Sequence, residues 1–503
     1  MGEKLENYKI VSEGIEANVS IEKTSDFVSI YNLKLPEIAA GTLVLLEKIR
    51  AILLTEIPIK PSELMDITSI ENLKKKFFEK GLEILRREMP FVDENTQKYL
   101  IGSLIQEMFG LGKIEFLLAD PNLEEVVING SKEPVWVYHK KYGWLKTNIR
   151  IEQENEILNY ANNIGRKVRR QITILNPLMD AHLPTGDRVN ATLFPISTHG
   201  NTITIRKFRR SPWTITDFIE NKTLNFEVAA LIWLAVQYEM NMIVAGGTAS
   251  GKTSLLNVFM SFIPPNQRIV SIEDTRELQL PDFLHWVPLT TREPNPEGLG
   301  EVSMLDLLVN SLRMRPDRII VGEIRRAREA EVLFEAMHTG HSVYATLHAD
   351  TAEQALKRLI NPPINVPESV IEALHLFAVA FRDRRLGIRR MLQLSEILPG
   401  SEKRGPQVNT LYRWKPLKDE IMKENESYRL IDEISMHTGM SSQDIMSDMK
   451  EKIKILKWFV EKKLKDLNKI GRIVAIYYSS PETILKAAEK NEDVDKVIKS
   501  WFK

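Results

Sequence analysis

The stretch "IVAGGTASGKTSLLNVF", residues 243–259, constrains the fold of this chain more than any other. It places three glycines, one lysine and four hydroxyl side chains between two apolar runs. Within it, Gly246, Gly251, Lys252 and Thr253 match the pattern G-x-x-x-x-G-K-[ST]. Glycine allows a turn in which several backbone N–H groups surround an anion. The stretch therefore predicts a phosphate-binding loop between a buried strand and a helix.

The residue types in this loop also indicate the ligand. A helix that begins at Lys252 presents a partial positive charge at its N-terminus. In this motif the lysine bridges the β- and γ-phosphates, and the hydroxyl of Thr253 is a ligand of Mg²⁺. We therefore expect ATP and Mg²⁺ as cofactors. The residues expected to bind the nucleotide are Gly246, Gly247, Thr248, Ala249, Ser250, Gly251, Lys252, Thr253 and Ser254.

Apolar strand-like and amphipathic helix-like segments alternate from residue 226 onward. Strands that are apolar throughout are typical of a parallel sheet with both faces covered. The pattern predicts an α/β fold with a doubly wound, mainly parallel sheet. The expected domains are a partner-specific region over 1–90, an α+β N-terminal domain over 91–208, a linker over 209–226, an ATPase core over 227–400 and a mostly helical C-terminal region over 401–503.

Two further strands end in carboxylates. The segment "DRIIVGEIR" (317–325) contains Glu323, and "IVSIEDTREL" (269–278) contains Glu273, Asp274 and Glu277. Open α/β sheets bind ligands at the carboxyl ends of their strands, where a carboxylate can hold Mg²⁺ or orient the attacking water. Spacing alone leaves open which carboxylate is the catalytic base. The expected metal ligands are Thr253, Glu273, Asp274 and Glu323.

The segment "HTGHSVYATLHA" (338–349) has histidines on both sides of an apparent strand. His341 and His348 are about 23 Å apart if that strand is extended, so they cannot bind one metal ion. The histidines either form local hydrogen bonds, or His341 and His348 respond to the γ-phosphate from the two strand ends. The sequence leaves both interpretations open.

Composition excludes several classes of function. Lys+Arg and Asp+Glu are equal at 68 each, so net charge provides no general attraction to nucleic acid. The chain has no cysteine, which excludes disulfides and thiolate chemistry. It shows no N-terminal signal peptide and no run of about 18 apolar residues, so we expect only peripheral membrane contact. Three basic runs, 165–171, 206–210 and 382–390, are either solvated faces or contacts to a neighbour's nucleotide, a membrane partner or anionic lipid.

In chain order, the phosphate loop and the segments 269–278, 317–325 and 338–349 resemble the Walker A, Asp box, Walker B and His box of the ATPases of type II secretion, type IV pilus and type IV secretion systems. The resemblance extends less sharply to "LPTGDRVNATLFPISTHGNTITIRKF" (183–208). Within this family the N-terminal region and the segment "LYRWKPLKDE" (411–420) are most similar to the motor ATPases of the archaeal flagellum, or archaellum. The ATPases of archaeal type IV pili are close relatives.

The resemblance implies a RecA-like P-loop ATPase and particular roles for its residues. Lys252 would bind phosphate, Glu277 would position water, and Glu323 would be the Walker B carboxylate. His341 and His348 would couple the γ-phosphate to movement. Arg188 and Arg206 would face the nucleotide from the N-terminal domain, and Arg292 is a weaker candidate for that task.

The resemblance also implies an assembly and a location. The chain would be a cytoplasmic homo-hexamer at the inner face of the membrane, acting on a polytopic membrane platform protein and other archaellum motor subunits. Type IV pilus assembly and type II secretion are alternatives. Outside this class we retain a RecA-like nucleic-acid motor, against which stands the absence of a basic and aromatic recognition module, and a nucleotide-regulated scaffold with little turnover.

Overall fold

A computed structural model describes residues 3–12, 14–24, 27–36, 38–58, 67–168, 170–183, 186–208, 211–294, 298–383, 385–400 and 405–501. The chain divides into two compact units, Met1–Arg210 and Ser211–Lys503. The first unit carries Arg188 and Arg206, and the second carries the predicted phosphate loop.

The N-terminal unit is built on a mainly antiparallel sheet, with β3 and β6 as its parallel pair. Its strands follow the order β1-β2-β3-β6-β5-β4-β9-β8-β7. They are β1 (Glu3–Ser12), β2 (Ile15–Lys23), β3 (Ile30–Lys34), β4 (Leu123–Asn129), β5 (Pro134–His139), β6 (Gly143–Arg150), β7 (Leu178–His182), β8 (Arg188–Thr192) and β9 (Thr202–Arg206).

The helices of this unit pack in two groups. α1, α2 and α3 bury Leu53, Phe77 and Ile101 against one another, whereas α4 and α5 pack on the sheet. Asp93 caps α3, because its side chain accepts a hydrogen bond from the Thr96 amide at 3.0 Å. The helices are α1 (Ala40–Glu56), α2 (Ile67–Glu88), α3 (Glu94–Phe109), α4 (Ile114–Ala119) and α5 (Glu154–Lys167).

The C-terminal unit is built on a second sheet in the order β12-β11-β13-β14-β10-β15-β16-β17-β18. The strands from β12 to β15 in this order are parallel, and those from β15 to β18 are antiparallel. They are β10 (Met242–Gly246), β11 (Ile269–Glu273), β12 (Trp286–Thr290), β13 (Arg318–Val321), β14 (Ser342–Leu347), β15 (Leu376–Asp383), β16 (Ile388–Leu398), β17 (Gln407–Lys415) and β18 (Glu420–Lys423).

Helices cover both faces of this sheet. Met242 and Val244 of β10 belong to one hydrophobic core, and Ile243 and Ala245 belong to another. Because successive side chains of a strand point to opposite faces, an apolar strand needs a core on each side. This arrangement confirms the α/β fold class predicted from the sequence.

The helices of the C-terminal unit fall before, between and after the strands. They are α6 (Ile215–Glu220), α7 (Phe226–Gln237), α8 (Lys252–Met260), α9 (Met304–Ser311), α10 (Ala327–His338), α11 (Ala352–Ile360), α12 (Glu368–Ile371), α13 (Arg429–Thr438), α14 (Ser442–Glu461), α15 (Leu467–Ser479), α16 (Pro481–Glu489) and α17 (Val494–Trp501), with a 3₁₀ turn at Leu312–Met314. None of the helices within the described ranges is long and apolar enough to cross a membrane.

The C-terminal helices pack directly on the rest of this unit. Trp233 of α7 stacks on Phe262 with ring centroids 4.8 Å apart and meets Tyr477 of α15 edge-on. The Trp233 indole N–H also donates to the Tyr478 hydroxyl at 2.8 Å. Helix α6 lies within residues 209–226, and strands β17 and β18 lie beyond residue 400. The finer domain boundaries stay predictions.

A cluster of charges joins α13 to the sheet. Glu433 lies 2.6 Å from the Nε of Arg429 and 2.5 Å from the Nε2 of His375. Arg429 also donates to the carbonyl oxygens of Leu374 and Ile397. Burial raises the pKa of Glu433, but hydrogen bonds and charges from His375 and Arg429 outweigh burial and lower this pKa to about 2. The carboxylate is therefore ionised and paired at neutral pH.

Candidate functional site: a nucleotide-binding edge of the sheet

The loop after β10 has the conformation that its glycines were predicted to allow. Gly251 has a φ of +94°, a left-handed conformation, directly before α8. A Cβ at Gly246 would lie 2.5 Å from the carbonyl oxygen of Ala380, so only glycine fits there. The Ser250 hydroxyl closes the loop by donating to the Gly247 carbonyl at 2.9 Å. The backbone thus forms a cradle at the N-terminus of α8.

Lys252 opens α8 and turns its side chain back over the loop. Its Nζ donates to the carbonyl oxygens of Gly246 at 3.0 Å and Gly247 at 3.1 Å. The ammonium group therefore lies at the mouth of the cradle. The neighbouring Thr253 and Ser254 occupy the first turn of the helix, where backbone N–H groups are free to bind an anion.

Three carboxylates lie close enough to Lys252 to act on its charge. Burial lowers the pKa of Lys252, while the negative charges of Glu323, Asp350 and Glu277 act against that shift. Glu323 follows β13, Glu277 follows β11 and Asp350 follows β14. The carboxyl ends of these parallel strands meet at one edge of the sheet. The structure therefore brings the predicted Lys252, Glu277 and Glu323 together.

Glu273 shapes the turn that carries Glu277. It is 2% exposed, and its Oε1 accepts hydrogen bonds from the backbone N–H of Glu277 at 2.9 Å and of Leu278 at 3.1 Å. Burial raises the pKa of Glu273 to about 7. Its Oε2 is buried and has no hydrogen-bond partner among the described residues. This geometry makes Glu273 a support for Glu277, and its predicted role as a metal ligand stays a prediction.

Arg325 links the two other predicted metal carboxylates. Its NH1 lies 2.5 Å from Asp274 Oδ2, and its Nε donates to Glu323 Oε2 at 2.8 Å. The Thr291 hydroxyl also donates to Asp274, at 3.2 Å. The guanidinium therefore holds the ends of β11 and β13 together. Arg325 stands two positions after Glu323 in the sequence, and that position alone does not predict its role.

The structure places the two histidines at opposite edges of the sheet. His348 follows β14, and its Nε2 lies 2.9 Å from the hydroxyl of Thr248 in the phosphate loop. Arg358 donates to the His348 carbonyl at 2.7 Å. His341 precedes β14, and its Nδ1 lies 3.1 Å from the Thr339 hydroxyl. Of these two histidines, only His348 contacts the phosphate loop, and the coupling roles of both stay predictions.

The described residues contain no group of three or more His, Asp or Glu side chains that could hold a metal ion. Mg²⁺ usually binds through one or two protein oxygens together with substrate phosphates. The Thr253 hydroxyl and the Glu323 carboxylate suit that binding mode, because both are hard oxygen donors.

The predicted arginines lie away from this loop in the chain. Arg188 begins β8 and Arg206 ends β9, where they are cross-strand partners. Arg188 is held by Asp180, with an NH2–Oδ2 distance of 2.6 Å. Arg292 donates to the Gly300 carbonyl at 2.6 Å. Their contribution to nucleotide binding stays a prediction.

Four arginines of the basic runs lie outside the described residues, namely Arg169, Arg209, Arg210 and Arg384.

Two further residues at the loop were not singled out by the sequence. Asp350 Oδ1 would be 2.9 Å from a Cβ added to Gly247, so it lies against the loop. Arg389 donates from Nε to the Ala249 carbonyl at 3.3 Å. Asp350 follows His348 by two positions, and Arg389 lies in the basic run 382–390. These positions in the sequence do not reveal that either side chain contacts the phosphate loop.

The cradle, the lysine and the carboxylates at one sheet edge define a P-loop nucleotide-binding protein. The family model for type II/IV secretion system proteins matches residues 110–376. The chain therefore belongs to the type II/IV secretion system protein family, as its four sequence motifs predicted.

The alignments with two relatives extend over half of this chain or more. An uncharacterized protein of Methanocaldococcus jannaschii is 36% identical over 410 residues, which cover 80% of this chain and 73% of the relative. The type IV secretion system protein PtlH of Bordetella pertussis is 32% identical over 274 residues, covering 50% and 80%. The structure of the VirB11 ATPase from the Brucella suis type IV secretion system is 26% identical, covers 55% of this chain and 90% of its own, and has a TM-score of 0.29.

Proposed function

We propose that this chain is a Mg²⁺-dependent ATPase that hydrolyses ATP to ADP and phosphate. The observation that carries this proposal is that Glu277, Glu323 and Asp350 follow parallel strands that end at the sheet edge of the phosphate cradle, where their charges act on Lys252. A cradle alone binds phosphate, whereas hydrolysis also needs groups that hold Mg²⁺ and orient water. The membership of the chain in the secretion-protein family supports the same activity.

The cradle suits the triphosphate of ATP. Gly246 and the left-handed Gly251 have no side chains, so the backbone of the loop is open to phosphate oxygens. Lys252 Nζ now bonds to two loop carbonyls and can exchange them for β- and γ-phosphate oxygens, which bind an ammonium more strongly. Thr253 and Glu323 would hold Mg²⁺, which would neutralise phosphate charge during the reaction.

Glu277 is the proposed base. Its exposed carboxylate lies near Lys252, and its backbone N–H is held by the buried Glu273. It would accept a proton from a water molecule whose oxygen attacks the γ-phosphorus in line. The bond from that phosphorus to the bridging oxygen breaks, and ADP leaves with its charge stabilised by Lys252.

Steady-state hydrolysis tests this proposal. We expect Mg²⁺-dependent phosphate release from the wild type, with a loss of roughly a hundredfold or more in Lys252→Ala, Glu277→Gln and Glu323→Gln. Glu335→Gln is the matched control, because Glu335 is an exposed glutamate of α10. Binding of Mg-ADP to Glu277→Gln should remain, since that change removes the base and not the cradle.

Two results would contradict the assignment. Turnover that survives both Glu277→Gln and Glu323→Gln would exclude these carboxylates from the reaction. Tight ATP binding without turnover in the wild type would instead favour a nucleotide-regulated scaffold.

We further propose that the ATPase works as a cytoplasmic homo-hexameric motor on a polytopic membrane protein. Family membership supports this assembly. Mass photometry with and without Mg-ATP should show a hexamer, and a stable monomer under both conditions would contradict it. DNA should not stimulate turnover, because the chain has equal numbers of basic and acidic residues.

The machine that we propose is the archaellum, with its motor subunits as further partners. The similarity of the N-terminal region and of residues 411–420 to archaellum motor ATPases supports it. In the alternatives, type IV pilus assembly and type II secretion, the chain would have the same ATPase activity and a different membrane partner. Co-purification of the chain with the archaellum platform protein would support the proposal, and exclusive co-purification with a pilus or secretion platform would overturn it.

A further inference from the structure

The phosphate loop divides its sheet into two sides. β10, which leads into the loop, lies between β14 and β15. The strands on the β14 side end in the carboxylates and His348, where the γ-phosphate and Mg²⁺ belong under the proposed function. On the other side lie β15, β16, β17 and β18, of which β15 and β16 are the two nearest to β10. The nucleoside end of a bound nucleotide therefore leaves the cradle toward β15 and β16.

Arg389 is the basic residue that β16 places against the loop. Its Nε donates to the carbonyl of Ala249 at 3.3 Å, and its Cδ would be 3.6 Å from a Cβ added to Gly251. A distance of 3.3 Å is long for an N–H···O hydrogen bond, so this bond is readily exchanged for one to a charged oxygen. The guanidinium thus flanks the turn where α8 begins.

The backbone around Arg389 is held firmly. Its carbonyl accepts a hydrogen bond from the Thr223 hydroxyl at 3.2 Å. Two residues later, the backbone N–H of Met391 donates to the Thr223 carbonyl at 3.0 Å. Arg390, which is buried, forms a two-pronged ion pair with Asp419 at 2.7 and 2.9 Å. Because adjacent residues of a strand point to opposite faces, the anchored Arg390 directs Arg389 toward the loop.

We propose that Arg389 is a nucleotide-binding residue that contacts the α-phosphate at the nucleoside end of the site. The proposal rests on the proposed function, because it takes the position of the γ-phosphate from the carboxylates. A planar guanidinium binds phosphate oxygens through two donors at once. The α-phosphate is common to ATP and ADP and is remote from the reacting bond. Arg389 therefore supplies binding that is equal in the ground state and in the transition state.

The test compares Arg389→Ala and Arg389→Lys with Arg385→Ala. Arg385 is an exposed arginine in the turn of the same β15–β16 hairpin, so its removal changes the local charge equally. Isothermal titration measures binding of Mg-ADP and of Mg-AMPPNP, and steady-state assays measure KM and kcat. We expect Arg389→Ala to raise the dissociation constants of both ligands about tenfold, because the variant loses a charge-assisted hydrogen bond. Its KM should rise about tenfold with kcat within about twofold of the wild type.

Each outcome decides the proposal. Arg389→Lys should recover part of the affinity, because a lysine keeps the charge without the planar fork. A fall in kcat with unchanged ADP affinity would place Arg389 at the γ-phosphate and overturn the proposal. Equal losses in Arg385→Ala, or no loss in Arg389→Ala, would also overturn it. The ADP measurement needs no turnover, so failure of the ATPase proposal and failure of this one are separable.

Discussion

Replacement of Glu273 by glutamine is expected to make the C-terminal unit increasingly stable relative to the wild type as the pH rises toward 8. The Glu273 carboxyl is 2% exposed, and burial raises its pKa from 4.5 to about 7. The native state therefore holds a proton that the unfolded chain releases above pH 4.5. The free energy of unfolding then falls as the pH rises from 4.5 to 7 and changes no further above 7. Glutamine carries no charge and removes this dependence.

The size of the effect follows from the shift in pKa. One unit corresponds to about 1.4 kcal/mol, so the full loss between pH 4.5 and pH 8 is about 3 kcal/mol. Between pH 5.5 and pH 8, where the comparison is practical, the expected difference is about 2 kcal/mol. The glutamine oxygen can still accept the hydrogen bonds from Glu277 and Leu278, so the turn should be kept.

The assay is urea unfolding of the nucleotide-free chain in EDTA, at several pH values between 5.5 and 8. Hydrogen exchange of the peptide that covers β11 identifies the transition of the C-terminal unit. Subtraction of the wild-type profile from that of Glu273→Gln cancels the other titrating groups. The difference should grow by about 2 kcal/mol toward pH 8. Parallel profiles would refute the reasoning that this carboxyl is protonated because it is buried.

Three further substitutions test other parts of the structure. Gly246→Ala should weaken Mg-ADP binding at least about tenfold in titration calorimetry, because its Cβ would collide with the Ala380 carbonyl; unchanged affinity would contradict the cradle. Thr248→Val should lower kcat about fivefold with little change in KM, since it removes the hydrogen bond to His348; an unaltered kcat would mean that this contact has no role in turnover. Glu433→Gln should reduce the free energy of unfolding at pH 7 by about 2 kcal/mol, because it leaves the half-buried Arg429 and His375 without their carboxylate; an identical urea midpoint would disprove that pairing.

Much of the site was predictable because its parts are local in the sequence. The phosphate loop is one continuous segment, and its glycines, lysine and hydroxyls report the backbone conformation directly. Glu277 and Glu323 were found because each follows an apolar strand, and parallel strands bring their carboxyl ends to one edge. The alternation of strands and helices likewise indicated the α/β fold.

Other assignments depended on contacts between distant segments. His341 and His348 have the same residue type and flank the same strand, yet only His348 meets the phosphate loop, because the strand separates them along its length. The motif predicts Glu273 as a metal ligand, and that role stays a prediction. The structure shows that it is buried and bound to backbone N–H groups, which spacing cannot reveal.

Short continuous motifs specify the residue types of the nucleotide loop and the family of the chain, so both can be recognised without a structure. Which further side chains reach that loop depends on how distant segments pack. Arg389 lies more than a hundred residues from Ala249 in the chain and meets it because β16 is placed two strands from β10. Strand order follows from the packing of the whole sheet between two cores, and no local pattern of residues encodes it.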